Sequence, residues 1–330
     1  MTKAKRKTAR MSAGAARTAA AVSPSIFASK PGKNNILMVV LGVFILFTAA
    51  EILLVVQKTV RQGKKPEFVT SFPNEFKKGL TSLGEYGNHL YAVDSTTNGF
   101  VYKVSKKDGR LVKLYQIPEM VCSAVEDKNG DVYILDKQNT VQVFSSKDEP
   151  KKKIPLDGIK GACWLELDMK GNFYVIDCGS SMITKYDQDF NKKASFGGQG
   201  EGKAAFKSLG KLFAAPNGDL YCVNMLKLNE AQIKILDANG KFKKAWPVKA
   251  MSKFSDLANL AITPDGYVYI NAFENSLIYV YDSNGKFMGS FDTDAQKRFL
   301  ITFPPSIAGG KEGLLYIPTH SLGVFKPIHY

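Results

Sequence analysis

Six tyrosines recur at nearly constant intervals and frame everything after residue 85. Tyr91, Tyr133, Tyr174, Tyr221, Tyr269 and Tyr316 are spaced by 42, 41, 47, 48 and 47 residues. Each follows an apolar lead-in and a Gly/Asn/Asp turn, and each centres an apolar run. A period of this size marks one supersecondary unit repeated, whose copies must stack to bury a core.

The fourth copy shows the grammar best. Pro216-Asn217-Gly218-Asp219 leads into Leu220-Tyr221-Cys222-Val223, followed by Ile233–Leu236 and Asp237-Ala238-Asn239-Gly240. The fifth repeats it with Pro264-Asp265-Gly266, Tyr267–Ile270, Ile278–Tyr281 and Asp282-Ser283-Asn284-Gly285. Asn-Gly and Asp-Gly supply the positive φ of tight turns. The central runs are apolar on both faces, as in strands covered from both sides. Four such strands per copy, radially stacked, predict an all-β, six-bladed β-propeller over residues 67–330. The last copy reads as three strands only. The run Phe68–Phe72 supplies the fourth, so its pairing would close the ring and remove two exposed edges.

The lead-in Gly197–Gly202 with Phe206, Pro216, Gly218, Tyr221, Ile233, Asp237 and Gly240 resembles an NHL repeat. The resemblance is good over 196–242 and 257–291 and looser over 86–178. The family often carries Arg before the third-strand Ile; here Met182, Gln232 and Leu277 stand there. Relatives in that family include binding platforms, and related six-bladed folds include metal-dependent lyases and lactonases.

The N-terminal end is of another kind. Residues 1–34 hold eight Lys/Arg and no acid, with no apolar periodicity, and are expected to be disordered. Ile36–Val56 then runs 21 residues with Glu51 as its one charge. That is long enough to cross a bilayer, which predicts a signal-anchor helix over 35–57. The basic residues before it place the N-terminus in the cytoplasm. Residues 58–66 read as a basic linker, and the propeller is expected outside the cytoplasm, in a bacterial periplasm for preference. A cleaved signal peptide ending near Ala49-Ala50 is the alternative. An intramembrane carboxylate either reaches the interface or meets a polar group on a partner helix, so Glu51 is a candidate partner contact.

The resemblance implies that any chemistry would lie on the innermost strands. Ten residues before the anchor tyrosines lie Thr81, Ser123, Trp164, Lys211, Asn259 and Ser306; eleven before lie Leu80, Cys122, Cys163, Gly210, Ala258 and Pro305. Neither set holds a carboxylate or His. His89, His320 and His329 fall in different phases, and Glu119 and Asp256 read as solvated lead-in residues. No catalytic residue, no metal ligand set and no cofactor is therefore expected. Cys122 and Cys163 share a register in adjacent copies, which makes them the candidate disulfide, with buried free thiols as the competing reading. Lys151–Lys153, Lys192–Lys193 and Lys241–Lys244 read as charged outer strands that discourage edge pairing.

The expected function is a non-enzymatic protein-interaction platform in a membrane-associated assembly. Partners would be proteins, including another transmembrane helix, with anionic lipid headgroups near the tail and no nucleic acid. Gly197, Gly198, Gln199, Gly200, Glu201 and Gly202, with Leu226, Lys227, Leu228, Asn229 and Glu230, are the candidate interaction loops. The alternatives are a metal-dependent propeller hydrolase or lyase and a polyanion-binding module.

Overall fold

The computed structural model describes residues 67–72, 80–94, 99–227, 230–248, 259–271, 277–292, 307–309, 313–318 and 322–326. The tail, the apolar run with Glu51, the linker and Asp256 lie outside the described residues. Among the described residues no helix is long and apolar enough to cross a membrane.

The chain forms an all-β propeller of four-stranded antiparallel sheets. Sheet one comprises Leu80–Tyr86, His89–Asp94, Gly99–Ser105 and Leu111–Ile117. Sheet two follows with Val121–Glu126, Val132–Asp136, Thr140–Phe144 and Pro150–Pro155. Sheet three is Ala162–Leu167, Phe173–Asp177, Met182–Tyr186 and Lys192–Gly197. Sheet four is Ser208–Ala214, Leu220–Lys227, Glu230–Leu236 and Phe242–Val248. Sheet five is Asn259–Ile262, Val268–Asn271, Leu277–Tyr281 and Phe287–Asp292. The sixth sheet draws on both ends of the chain: Ala308–Gly309, Leu315–Pro318 and Leu322–Lys326 are completed by Glu67–Phe72. Phe68 stands opposite Phe325 and Phe72 opposite Leu322. The first strand of each sheet contacts the first strand of the next, and the sixth returns to the first. These first strands therefore surround the axis.

The anchor tyrosines all lie in second strands and are buried: Tyr91, Tyr174 and Tyr269 are fully enclosed, and Tyr133, at 6%, is the most exposed. Cores sit between neighbouring sheets rather than within one. One such layer packs Tyr174 and Ile183 of sheet three against Leu212, Leu220 and Leu236 of sheet four. This is why the second and third strands are apolar on both faces.

The recurrent turns have a common design. Asp127, Asp168, Asp187, Asp237 and Asp282 each open a turn, and the carboxylate Oδ1 of each accepts the backbone N–H two and four residues on, at 2.8–3.0 Å. The fourth residue is left-handed, glycine in four cases. In the turn from Asp187 it is Phe190 at φ 64°, whose ring packs on Tyr133, Phe173 and Tyr186. Aromatic contact offsets the left-handed penalty there. Much of the acidic content of this propeller is thus turn-forming.

Two expectations need correction. Cys163 is bonded to Cys178, not to Cys122, with Cα atoms 5.9 Å apart. Cys178 follows the second strand of sheet three, and its N–H donates to Gly161 O, which places it beside Cys163 within one hairpin. Cys122 belongs to the neighbouring sheet; its thiol stays free and donates to Ala162 O. Leu226, Lys227 and Glu230 are not loop residues either. They extend the hairpin of sheet four, where Lys227 pairs with Glu230; Leu228 and Asn229 lie outside the described residues. The long apolar run Leu220–Leu226 keeps the ladder going to that point.

Candidate functional site

The first strands enclose an axial cavity of about 1240 Å³. Its girdle follows from register. Ser82, Ser123, Trp164 and Asn259 each lie two strand positions from the residue opposite an anchor tyrosine, and Lys211 occupies the same place at a bulge. All five line the cavity. Four of them stand ten residues before their tyrosine; in sheet one the turn is shorter, so Ser82 takes the place expected for Thr81.

Trp164 donates its indole N–H to Leu212 O at 3.0 Å, which fixes the ring across the seam between sheets three and four. Lys211 Nζ lies 4.3 Å from the centre of that ring. Burial pushes the Lys211 amine down to about 7. Ser123 Oγ accepts the Leu165 N–H at 2.8 Å, and Asn259 N–H donates to Asn271 Oδ1.

Carboxylates do line the cavity, further along the strands than the two rings read from sequence. Glu166 is enclosed, and burial pushes its carboxyl up to about 8 against the opposing hydrogen bonds of the Ala214 N–H and Trp164. Glu85 is tied to Lys106 Nζ at 2.5 Å. Glu126 accepts from His89 Nδ1 at 2.9 Å and from the Tyr91 hydroxyl. The Tyr86 phenol is raised by burial first, then by the charges of Glu166 and Glu85. Each of these three glutamates is thus held by a separate partner. Among the described residues no three His, Cys, Asp or Glu side chains cluster as a metal site would require.

Glu119 proves to be part of the framework. Its carbonyl accepts the Gly99 N–H at 3.1 Å and its carboxylate accepts from Gln142.

Gly197, read as a loop residue, ends the fourth strand of sheet three opposite Met182, and Gly198–Gly202 is an ordered excursion beyond it. Gly198 N–H donates to Ser181 O at 2.9 Å, Gly200 N–H to Phe206 O at 3.0 Å, and Phe206 N–H back to Gly198 O at 2.8 Å. Phe206 is fully buried beneath it, and Lys234 Nζ donates to the carbonyls of Gly202 and Ala205. Gly197, Gly198 and Gly200 have positive φ, a demand only glycine meets easily. Gln199, Gly200, Glu201 and Gly202 remain exposed on this rigid base.

A solved structure of a streptogramin B lyase is similar to this chain. The TM-score is 0.54 at 13% identity, over 79% of this chain and 96% of that one. At that identity the likeness speaks to the propeller fold alone. No family model matches the sequence, and no curated protein matches it.

Proposed function

We propose that this chain is a membrane-anchored, six-bladed, NHL-like propeller that serves as a non-enzymatic binding platform in a membrane-associated assembly. The observation that carries the reading is the separate engagement of the inner-strand acids. Glu85 is neutralised by Lys106, Glu126 is held by His89 and Tyr91, and Glu166 is buried against Ala214. They act as braces between strands and sheets rather than as convergent ligands. In this reading the anchor is Ile36–Val56, the propeller is periplasmic, and Glu51 meets a partner helix. The exposed crest Gln199–Gly202 is the docking element on the propeller. Its glycine-set base holds the shape in advance, which reduces the ordering cost of binding.

Affinity purification from detergent-solubilised membranes tests this. Wild type is compared with Glu51→Leu and with a chain whose 199–202 segment is replaced by Ser-Gly repeats. A stoichiometric protein lost from either variant supports the reading. Isolation of the wild-type chain with no protein partner contradicts it.

A further inference from the structure

The girdle of the axial cavity holds a cation with no acidic partner among the described residues. Of the other lysines that line the cavity, Lys151 meets Asp131 at 2.5 Å, and Lys128 and Lys152 are exposed. Lys211 differs: among the described residues its Nζ has the face of Trp164 and no ion-pair partner. Lys211 is half-buried, and a half-buried ammonium without a counter-charge bears part of the desolvation cost, which an aromatic face only partly recovers.

The surroundings define what would complete the site. Leu212, Leu260 and Ile307 give the wall an apolar surface, while Ser123 and Asn259 stand on the same ring as Lys211. Of the acids that line the cavity, Glu85 has Lys106 beside it, Asp131 has Lys151, Asp127 and Asp168 accept backbone N–H groups, and burial favours the neutral form of Glu166, which limits the repulsion an anion would meet. One lysine balances one negative charge. The volume is ample for a small organic molecule.

We infer that the axial channel binds a small organic monoanion, a carboxylate with an apolar body, with the carboxylate on Lys211 and the body against Trp164 and the Leu212–Leu260 wall. The ligand supplies a counter-charge that none of the described residues provides. The depressed amine agrees with this, since an arriving anion favours its protonation. The inference is independent of the platform reading: a chain without protein partners would still take the anion, and a platform need not.

The test uses the full chain in lipid nanodiscs and titration calorimetry with 2-naphthoate and its neutral analogue 2-naphthamide, against empty nanodiscs. The expected result is one naphthoate per chain, bound about tenfold or more tighter than the amide. Lys211→Met should bring naphthoate to the level of the amide, and Lys211→Arg should keep the preference. Equal binding of the two probes to wild type overturns the inference. So does a preference that survives in Lys211→Met, or the absence of naphthoate binding at millimolar concentration.

Discussion

Trp246, on the outer strand of sheet four, lies flat against the bare Cα of Gly285 in the turn of sheet five. A Cβ added at Gly285 would stand 2.2 Å from Trp246 Cγ. The same device joins sheets three and four, where a Cβ at Gly240 would stand 2.2 Å from Phe196 Cγ. Both glycines also need positive φ, 83° and 85°. One residue therefore serves the turn of its own sheet and the seam with the preceding one. Gly285→Ala should destabilise the propeller by roughly 2–4 kcal/mol, through left-handed strain together with overpacking. Gly218, at φ 85° with open space around it, is the control. Gly218→Ala should cost only the conformational part, roughly 1–2 kcal/mol. Urea unfolding of the two variants checks the difference; equal losses would remove the seam from the account.

The turn aspartates should matter through their acceptor geometry. Asp237→Ala leaves the N–H groups of Asn239 and Lys241 without their carboxylate acceptor. These groups are exposed, so water replaces part of the bond, and the expected loss is roughly 1 kcal/mol. Asp237→Asn keeps an oxygen acceptor and should lose less. The Asp237 carboxyl is lowered by the backbone N–H groups of Lys241 and Asn239. Its contribution is therefore present above the unfolded carboxylate pKa and lost as pH falls through the folded one. Comparing chemical denaturation of the alanine variant and wild type should show their gap narrowing in acid.

Glu166 predicts the opposite slope. Its folded pKa of about 8 lies above the ordinary 4.5. Between those values the unfolded chain releases the proton while the folded chain keeps it, so stability falls as pH rises through this window. Glu166→Gln removes the effect. The variant should gain on wild type by several degrees in melting temperature between pH 5 and pH 8, on the order of a few kcal/mol. A parallel pair of melting profiles would show that Glu166 does not titrate this way.

The Cys163–Cys178 bond ties compartment to structure. Disulfides persist in oxidising compartments and are rare in the cytosol. In cells quenched directly into denaturant, a thiol reagent applied without reductant should modify Cys122 and Cys222 and leave Cys163 and Cys178 unmodified until reduction. Modification of all four before reduction would place the propeller in a reducing compartment and contradict the periplasmic reading. Cys178→Ala should lower stability by roughly 3 kcal/mol, as expected for opening a loop of this size, read by urea denaturation.

Much of the architecture was legible because the tyrosine period reports a stacked unit, and because the two apolar runs per unit are covered on both faces. The closing strand Phe68–Phe72 was legible too, since a three-stranded last copy demanded a partner. The site was read less well for a reason of register. The first strands of sheets one to four each carry a bulge, at Leu80/Ser82, Val121/Ser123, Ala162/Trp164 and Leu209/Leu212. A fixed offset from the tyrosines still finds Trp164 and Lys211, but it samples only one level of the channel. Glu166 lies two residues beyond Trp164, directly opposite Tyr174. The other sheets place Gly84, Val125, Phe213, Ala261 and Ala308 opposite their tyrosines, so no repeated acid marks the level. The cysteine pairing failed because equal register in adjacent sheets does not bring two side chains together, whereas a hairpin end does.

Native mass spectrometry of the full chain, released from gently solubilised membranes, tests the central claim most directly. The account predicts a complex whose mass equals this chain plus at least one other protein in an integral ratio, with Glu51→Leu or replacement of 199–202 shifting the population toward the bare chain. A wild-type spectrum showing the bare chain alone, or only copies of itself, would contradict the platform.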